Sequence, residues 1–261
     1  MRRVILKFFA DRGTHLAAMI AYFALLSFVP LLFLALSLLG LAGRFDESSF
    51  LIHELERAFP GTSLDTILDA VRSIQKHSKT LGIVGGAVLL WSSLSLFSVL
   101  ESAFNIVYGR PNRSFLHGKA LASLLLVGSL VSLFASLVIG SVGVEVLKRY
   151  AGSVVGSSYV AYTLSVAVSL LGVFVFLVSV YYALTNVRLT VRDVLPGAVV
   201  AAIVLEASFQ AIPIYLRLVS RLPAQAIGGP AILLVWLYVM ANVIVLGAEI
   251  NWAWRRPGPN R

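Results

Sequence analysis

The chain has 261 residues, of which 59% are apolar and only 13% charged, with a mean hydropathy of +0.90. A soluble globular domain carries about 25% charged residues and has no means of hiding this much apolar surface, so water is excluded as the main solvent. The absence of cysteine excludes disulfides, thiolate metal centres and a cysteine nucleophile, while 21 Lys+Arg against 12 Asp+Glu suit either a nucleic-acid binder or the basic loops of a membrane protein.

Six charge-poor runs reach the about 20 residues that a helix needs to cross the roughly 30 Å hydrocarbon layer. The first, Leu16 to Leu41, follows a basic head of Arg2, Arg3, Lys7 and Arg12. It exceeds the about 7–15 residues of a signal-peptide core and reads as an uncleaved span. Arg44 to Thr80 is polar and split by Pro60-Gly61; Leu51, Leu55 and Phe59 form one helical stripe, and Leu64, Ile67, Leu68, Val71 and Ile74 another. Two short amphipathic helices are expected there, covering the outer mouth or lying on the headgroups. Further spans are expected at Leu81 to Tyr108, Ala120 to Val144, Tyr159 to Thr185, Val194 to Leu216 and Ala226 to Trp252. The expected fold is all-α: one polytopic membrane domain over 1–261, a six-helix bundle with a short extracytoplasmic segment between helices 1 and 2.

Charge position orients the bundle. Arg2 to Arg12, the 109–119 loop, the 186–193 loop and the tail hold 12 Lys/Arg with only Asp11 and Asp193, a net +10; the opposite segments hold 9 Lys/Arg with seven acids, a net +2. By the positive-inside rule both termini are expected in the cytoplasm.

The three remaining acids, Glu101, Glu206 and Glu249, lie within spans. A carboxylate near the bilayer centre costs several kcal/mol unless it pairs, is protonated or faces a wet cavity, which makes these positions candidate sites. Glu206 lies ten residues past Pro196, about 15 Å along a helix and so near the midplane. Gln210 is one turn further on the same face. Glu101 shares a stripe with Asn105 near the other span's cytoplasmic end, and Glu249 shares one with Asn242 close to Trp252, where it can reach the headgroups. Pro30 and Pro213, each lacking an amide hydrogen, mark expected helix breaks. A stripe of Ser129, Ser132, Ser136, Gly140 and Gly143 suits close helix packing. No Walker lysine motif, G-x-S-x-G elbow or H-E-x-x-H occurs, and the four histidines are scattered. Neither an enzyme, a metal site nor a cofactor is expected.

The stretches AYFALLSFVPLLFLALSLLG (21–40), LLWSSLSLFSVLESAFNIVYGR (89–110), VLPGAVVAAIVLE (194–206) and GGPAILLVWLYVMANVIVLGAEIN (228–251) resemble the BrkB/YihY family of bacterial inner-membrane proteins. The resemblance implies six transmembrane helices and a location in the plasma (inner) membrane. The family carries an old ribonuclease label, which nothing in these residues supports. The intramembrane acids instead suggest a transporter or exporter of an amphiphilic or anionic envelope-related compound, with Glu206 at the midplane, Gln210, Glu101 and Asn105 along the path, and Glu249 as the inner gate. The competing reading is a non-transporting envelope scaffold. The expected partners are the bilayer and an amphiphilic substrate, with no nucleic acid; a homo-oligomer is open.

Overall fold

The computed structural model describes residues 2–41, 78–129, 131, 158–220 and 229–255, all in helices or the turns that join them. The helices are α1 Arg2–Ala10, α2 Gly13–Leu41, α3 Ser78–Val107, α4 Phe115–Ser129, α5 Ser158–Leu184, α6 Val191–Ser220 and α7 Gly229–Trp254. Because α3 starts at Ser78, the last residues of the expected 44–80 segment belong to that helix. The rest of that segment, and Ser132, Ser136, Gly140 and Gly143, lie outside the described residues.

Three stretches are long and apolar enough to cross a membrane, Val166–Leu184, Val191–Ala211 and Leu233–Trp254; Gly13–Phe28 and Phe115–Ser129 are shorter apolar helices. Their outward faces are as apolar as their cores. Val168, Leu171 and Val175 of α5 and Val199, Ile203 and Ile214 of α6 are all exposed, the pattern of a helix whose surroundings are lipid. By contrast, α1 is short and amphipathic: Val4 and Phe8, one turn apart, are buried, while Arg2, Arg3, Ile5, Leu6 and Phe9 are exposed.

α7 packs against α2 and α6, α6 against α5, and α2 against α3; contacts of α3 with α5 close the circuit, and α1 lies against α7 and α2. Ala122 and Leu126 bring α4 into the same core, which is densest around Phe104, Val107, Tyr181, Leu184, Val194 and Val245. α2, α4 and α6 begin at one end of the assembly and α3, α5 and α7 finish there, together with both described chain ends. Three bonds fix this: Lys7 Nζ donates to the Val107 carbonyl, Arg113 to the Leu184 carbonyl, and the Gly197 amide to Asn251.

Local chemistry terminates the helices at this end. Gly109 takes φ 61°, its amide bonding Ile106 O and the Arg110 amide bonding Asn105 O. This is a Schellman ending of α3 that needs a residue at ease in the left-handed region. Asp193 Oδ2 accepts from both the amide and the hydroxyl of Thr190 at 2.8 Å, so the carboxylate in the first turn of α6 reaches back to the residue that precedes the helix, one arm of a capping box. The expected breaks do not occur, since α2 runs through Pro30 and α6 through Pro213. Proline's fixed φ is compatible with a helix, and within a bundle one freed carbonyl is readily accommodated.

Candidate functional site

The most isolated of the intramembrane acids is Glu206, 6% exposed on α6. Among the described residues its carboxylate has no cation: Ser169 Oγ of α5 donates to Oε2 at 2.7 Å, and Gln210 Nε2 to Oε1 at 2.9 Å. Hydrogen bonds from neutral donors are what a buried carboxyl requires when no counter-charge is at hand. Leu170, Leu171 and Phe174 of α5 and Val199, Ala202 and Ile203 of α6 line an apolar groove of about 500 Å³. Residues 199, 202, 203, 206 and 210 follow helical spacing, so the groove's stripe on α6 runs directly into Glu206 and Gln210. Leu171 and Ile203 are more than half exposed, so the groove opens outward. Here an apolar slot ends at a polar group.

Glu101, 5% exposed, is engaged elsewhere. Its Oε1 accepts from the Arg113 amide at 3.2 Å and from Arg113 Nη1 at 3.3 Å. The same guanidinium donates to Leu184 O at 2.7 Å and Thr185 O at 3.0 Å, capping the carbonyl end of α5. Asn105 completes the joint: its Oδ1 accepts from the Asn186 amide at 2.7 Å, and its Nδ2 donates to Asn112 Oδ1 at 3.1 Å. Asn186 Nδ2 then donates to Pro111 O. Arg113, Asn105 and Asn186 thereby bind the end of α3 and the turn after it to the end of α5 and the turn after it, with Glu101 and Asn112 holding two of them in place, and planar, forked arginine is the residue suited to bridge them.

A second joint connects α6 and α7. A Cβ placed on Gly197 would lie 1.9 Å from Gly247 O, and one on Gly247 would lie 2.2 Å from the Tyr181 hydroxyl. Only glycine permits that approach. Asn251 Oδ1 accepts the Gly197 amide at 2.7 Å, and the Tyr181 hydroxyl donates to Ile244 O at 2.8 Å. The Tyr181 ring lies 5.1 Å from that of Phe104, which ties α3 and α5 to the same crossing.

Glu249, near Trp252 at the end of α7, is fully buried within the protein. Lys7 Nζ of α1 stands 3.3 Å from its Oε2, yet among the described residues neither carboxylate oxygen makes a hydrogen bond. The distance is that of an ion pair. Lys7 also pairs with Asp11 and donates to Val107 O at 2.7 Å. Asn242 turns back to Tyr238 O on its own helix.

The expected site residues therefore divide. Glu206 and Gln210 come together; Glu101 and Asn105 share the loop joint; Glu249 belongs with α1. Ser129 is half-buried at the end of α4. Lys7, Arg113, Ser169, Tyr181 and Gly197 join these sites without having stood out as site residues in the sequence; Gly197 lies within the 194–206 stretch that carries the family resemblance.

A family model for the virulence factor BrkB matches residues 4–260. The chain belongs to the virulence factor BrkB family. It is 24% identical to the putative ribonuclease-like protein YfkH of Bacillus subtilis, over 96% of this chain and 93% of that protein. A UPF0761 membrane protein of Azotobacter vinelandii is 29% identical over 96% of this chain but 63% of its own length. One from Chromohalobacter salexigens is 28% identical over 97% and 62%. The chain thus spans under two thirds of the length of these two relatives. No solved structure matches it. Family, relatives and apolar helices together make this a membrane protein.

Proposed function

We propose that the chain is a single six-span membrane domain, that its termini and the 108–114 and 185–190 turns face the cytoplasm, and that it moves an amphiphilic envelope compound along the α5–α6 face. The observation carrying this reading is Glu206, a buried carboxyl held by Ser169 and Gln210 where an apolar groove of about 500 Å³ runs out. A chain-like apolar tail fits the groove, and a hydroxyl or amine can replace Ser169 at the carboxylate. An ionised anion fits less well beside Glu206, so the amphiphilic option is preferred over the anionic one. Orientation is supported by the gathering of Arg2, Arg3, Lys7, Arg12, Arg110, Arg113, Lys119, Arg188, Arg192 and Arg255 at the end where the chain ends and these turns meet. The test is untargeted comparison of membrane lipids and metabolites in cells with wild-type protein, with none, and with Glu206→Gln at equal abundance. The reading requires Glu206→Gln to resemble the null strain, and a wild-type profile overturns it.

The name of the Bacillus subtilis relative raises RNA cleavage as a second reading. Among the described residues no group of three or more His, Cys, Asp or Glu is placed to hold a metal. Incubating detergent-purified protein with transfer RNA and divalent cations decides the matter, and cleavage that a catalytic-residue search can abolish would restore the enzyme reading.

A further inference from the structure

The surroundings of Lys7 are those of a ligand in a binding site. Its ammonium touches two carboxylates, Glu249 at 3.3 Å and Asp11, and a main-chain carbonyl, Val107 O, at 2.7 Å. The face of the Trp252 ring lies 4.4 Å away. Carboxylate, carbonyl and aromatic face are the three kinds of group that recognise a primary ammonium. Glu249 and Val107 belong to long helices and Trp252 to the last turn of α7, so most of the cradle stays with the bundle if α1 departs. The fit to Lys7 is also incomplete. Glu249 is fully buried, and among the described residues both of its oxygens lack a hydrogen bond even with the ammonium at ion-pair distance. A lysine tethered through α1 meets its charge requirement without satisfying its lone pairs, whereas an ammonium free to reorient can do both.

We propose that Glu249, Val107 O and Trp252 form a primary-ammonium site that Lys7 occupies as an internal stand-in, so that displacing α1 admits an amine from outside the chain. Two sources share this chemistry, a soluble alkylamine and the ethanolamine headgroup of a phospholipid. The second has access on geometric grounds, because α1 exposes Ile5, Leu6 and Phe9 beside Arg2 and Arg3, as a helix lying at headgroup level does. A quaternary amine keeps the attraction to the ring but has no N–H for the carboxylate or carbonyl, and is rejected.

The experiment empties the site with Lys7→Ala in the full chain and measures thermal unfolding. In phosphatidylcholine nanodiscs the variant unfolds below wild type; ethylammonium chloride restores most of the loss, tetramethylammonium chloride does not, and wild type responds to neither. Nanodiscs containing phosphatidylethanolamine restore Lys7→Ala without added amine if the headgroup is the source, and leave it unrestored if only soluble amines enter. Lys7→Ala/Glu249→Gln must lose every rescue. Failure of both ethylammonium and phosphatidylethanolamine, or equal rescue by tetramethylammonium, overturns the site. Should Lys7→Ala not fold when extracted alone, the yield of folded protein extracted with and without ethylammonium separates the same outcomes: a higher yield with the amine supports the site, and an unchanged yield overturns it.

Discussion

The amide of Gly197 donates to the side-chain oxygen of Asn251 at 2.7 Å, across a crossing in which Gly197 and Gly247 meet backbone to backbone. Segments 195–198 and 247–251 are thus the two sides of one contact. Gly197→Ala places a methyl 1.9 Å from Gly247 O, and no flexible side chain can yield there. The variant is expected to be lost from the membrane or to unfold far below wild type. Asn251→Leu, which orphans a buried amide, is expected to cost about 1–3 kcal/mol. Unfolding in detergent measures both, and a Gly197→Ala protein of wild-type stability contradicts the crossing.

Arg113 bridges the ends of α3 and α5 through Glu101, Leu184 O and Thr185 O. A hydrogen bond to a charged group contributes about 1.5–3 kcal/mol. Since the Arg113 side chain is 24% exposed, Arg113→Ala is expected near the lower end, at about 2 kcal/mol. Arg113→Lys should recover only part of it, because one ammonium cannot serve a carboxylate and two carbonyls in a plane. Equal stability of Lys and Ala variants would show that the fork geometry is immaterial.

Glu206 and Ser169 invite a double-mutant cycle. A cross-helix hydrogen bond inside a membrane contributes on average about 0.6 kcal/mol and at most about 1.7. Coupling between Glu206→Ala, which removes the acceptor, and Ser169→Ala is expected within that range. Glutamine keeps an acceptor for Ser169, so Glu206→Gln alone should unfold close to wild type while losing the transport-dependent lipid profile. Loss of stability without loss of profile would make the pair a helix lock and nothing more.

Topology is open to direct measurement. Cysteines introduced at positions 112 and 187 into this cysteine-free chain should resist a membrane-impermeant thiol reagent in intact cells and react after permeabilisation. One at position 62, in the polar segment between the first two spans, should react in both. The reverse pattern would invert the orientation drawn from the basic residues.

The sequence disclosed the apolar runs that became helices, and the cost of carboxylates among them singled out Glu101, Glu206 and Glu249. Their partners were harder to read. Gln210 is one helical turn from Glu206 and follows from spacing alone, whereas Ser169 lies on another helix whose rotation no single sequence specifies. Lys7 and Glu249 sit near opposite ends of the chain, and a lysine in a basic head reads as an orientation signal before it reads as an ion-pair partner. Arg113 reads as a loop charge for the same reason. The prolines misled in the other direction: a missing amide hydrogen at Pro30 or Pro213 is a local defect, and the long helices around them continue.

The joints at Arg113, Gly197 and Lys7 all lie where the helices turn, at one end of the assembly. Mechanically this is a clamped base carrying long levers. α5 has 27 residues, about 40 Å of helix at about 1.5 Å per residue, so a tilt of about 10° at its base carries the far tip about 7 Å sideways. The Ser169–Glu206 bond crosses between two such levers partway along. Losing that bond removes a polar tie between α5 and α6 away from the base, while the contacts at the base stay made.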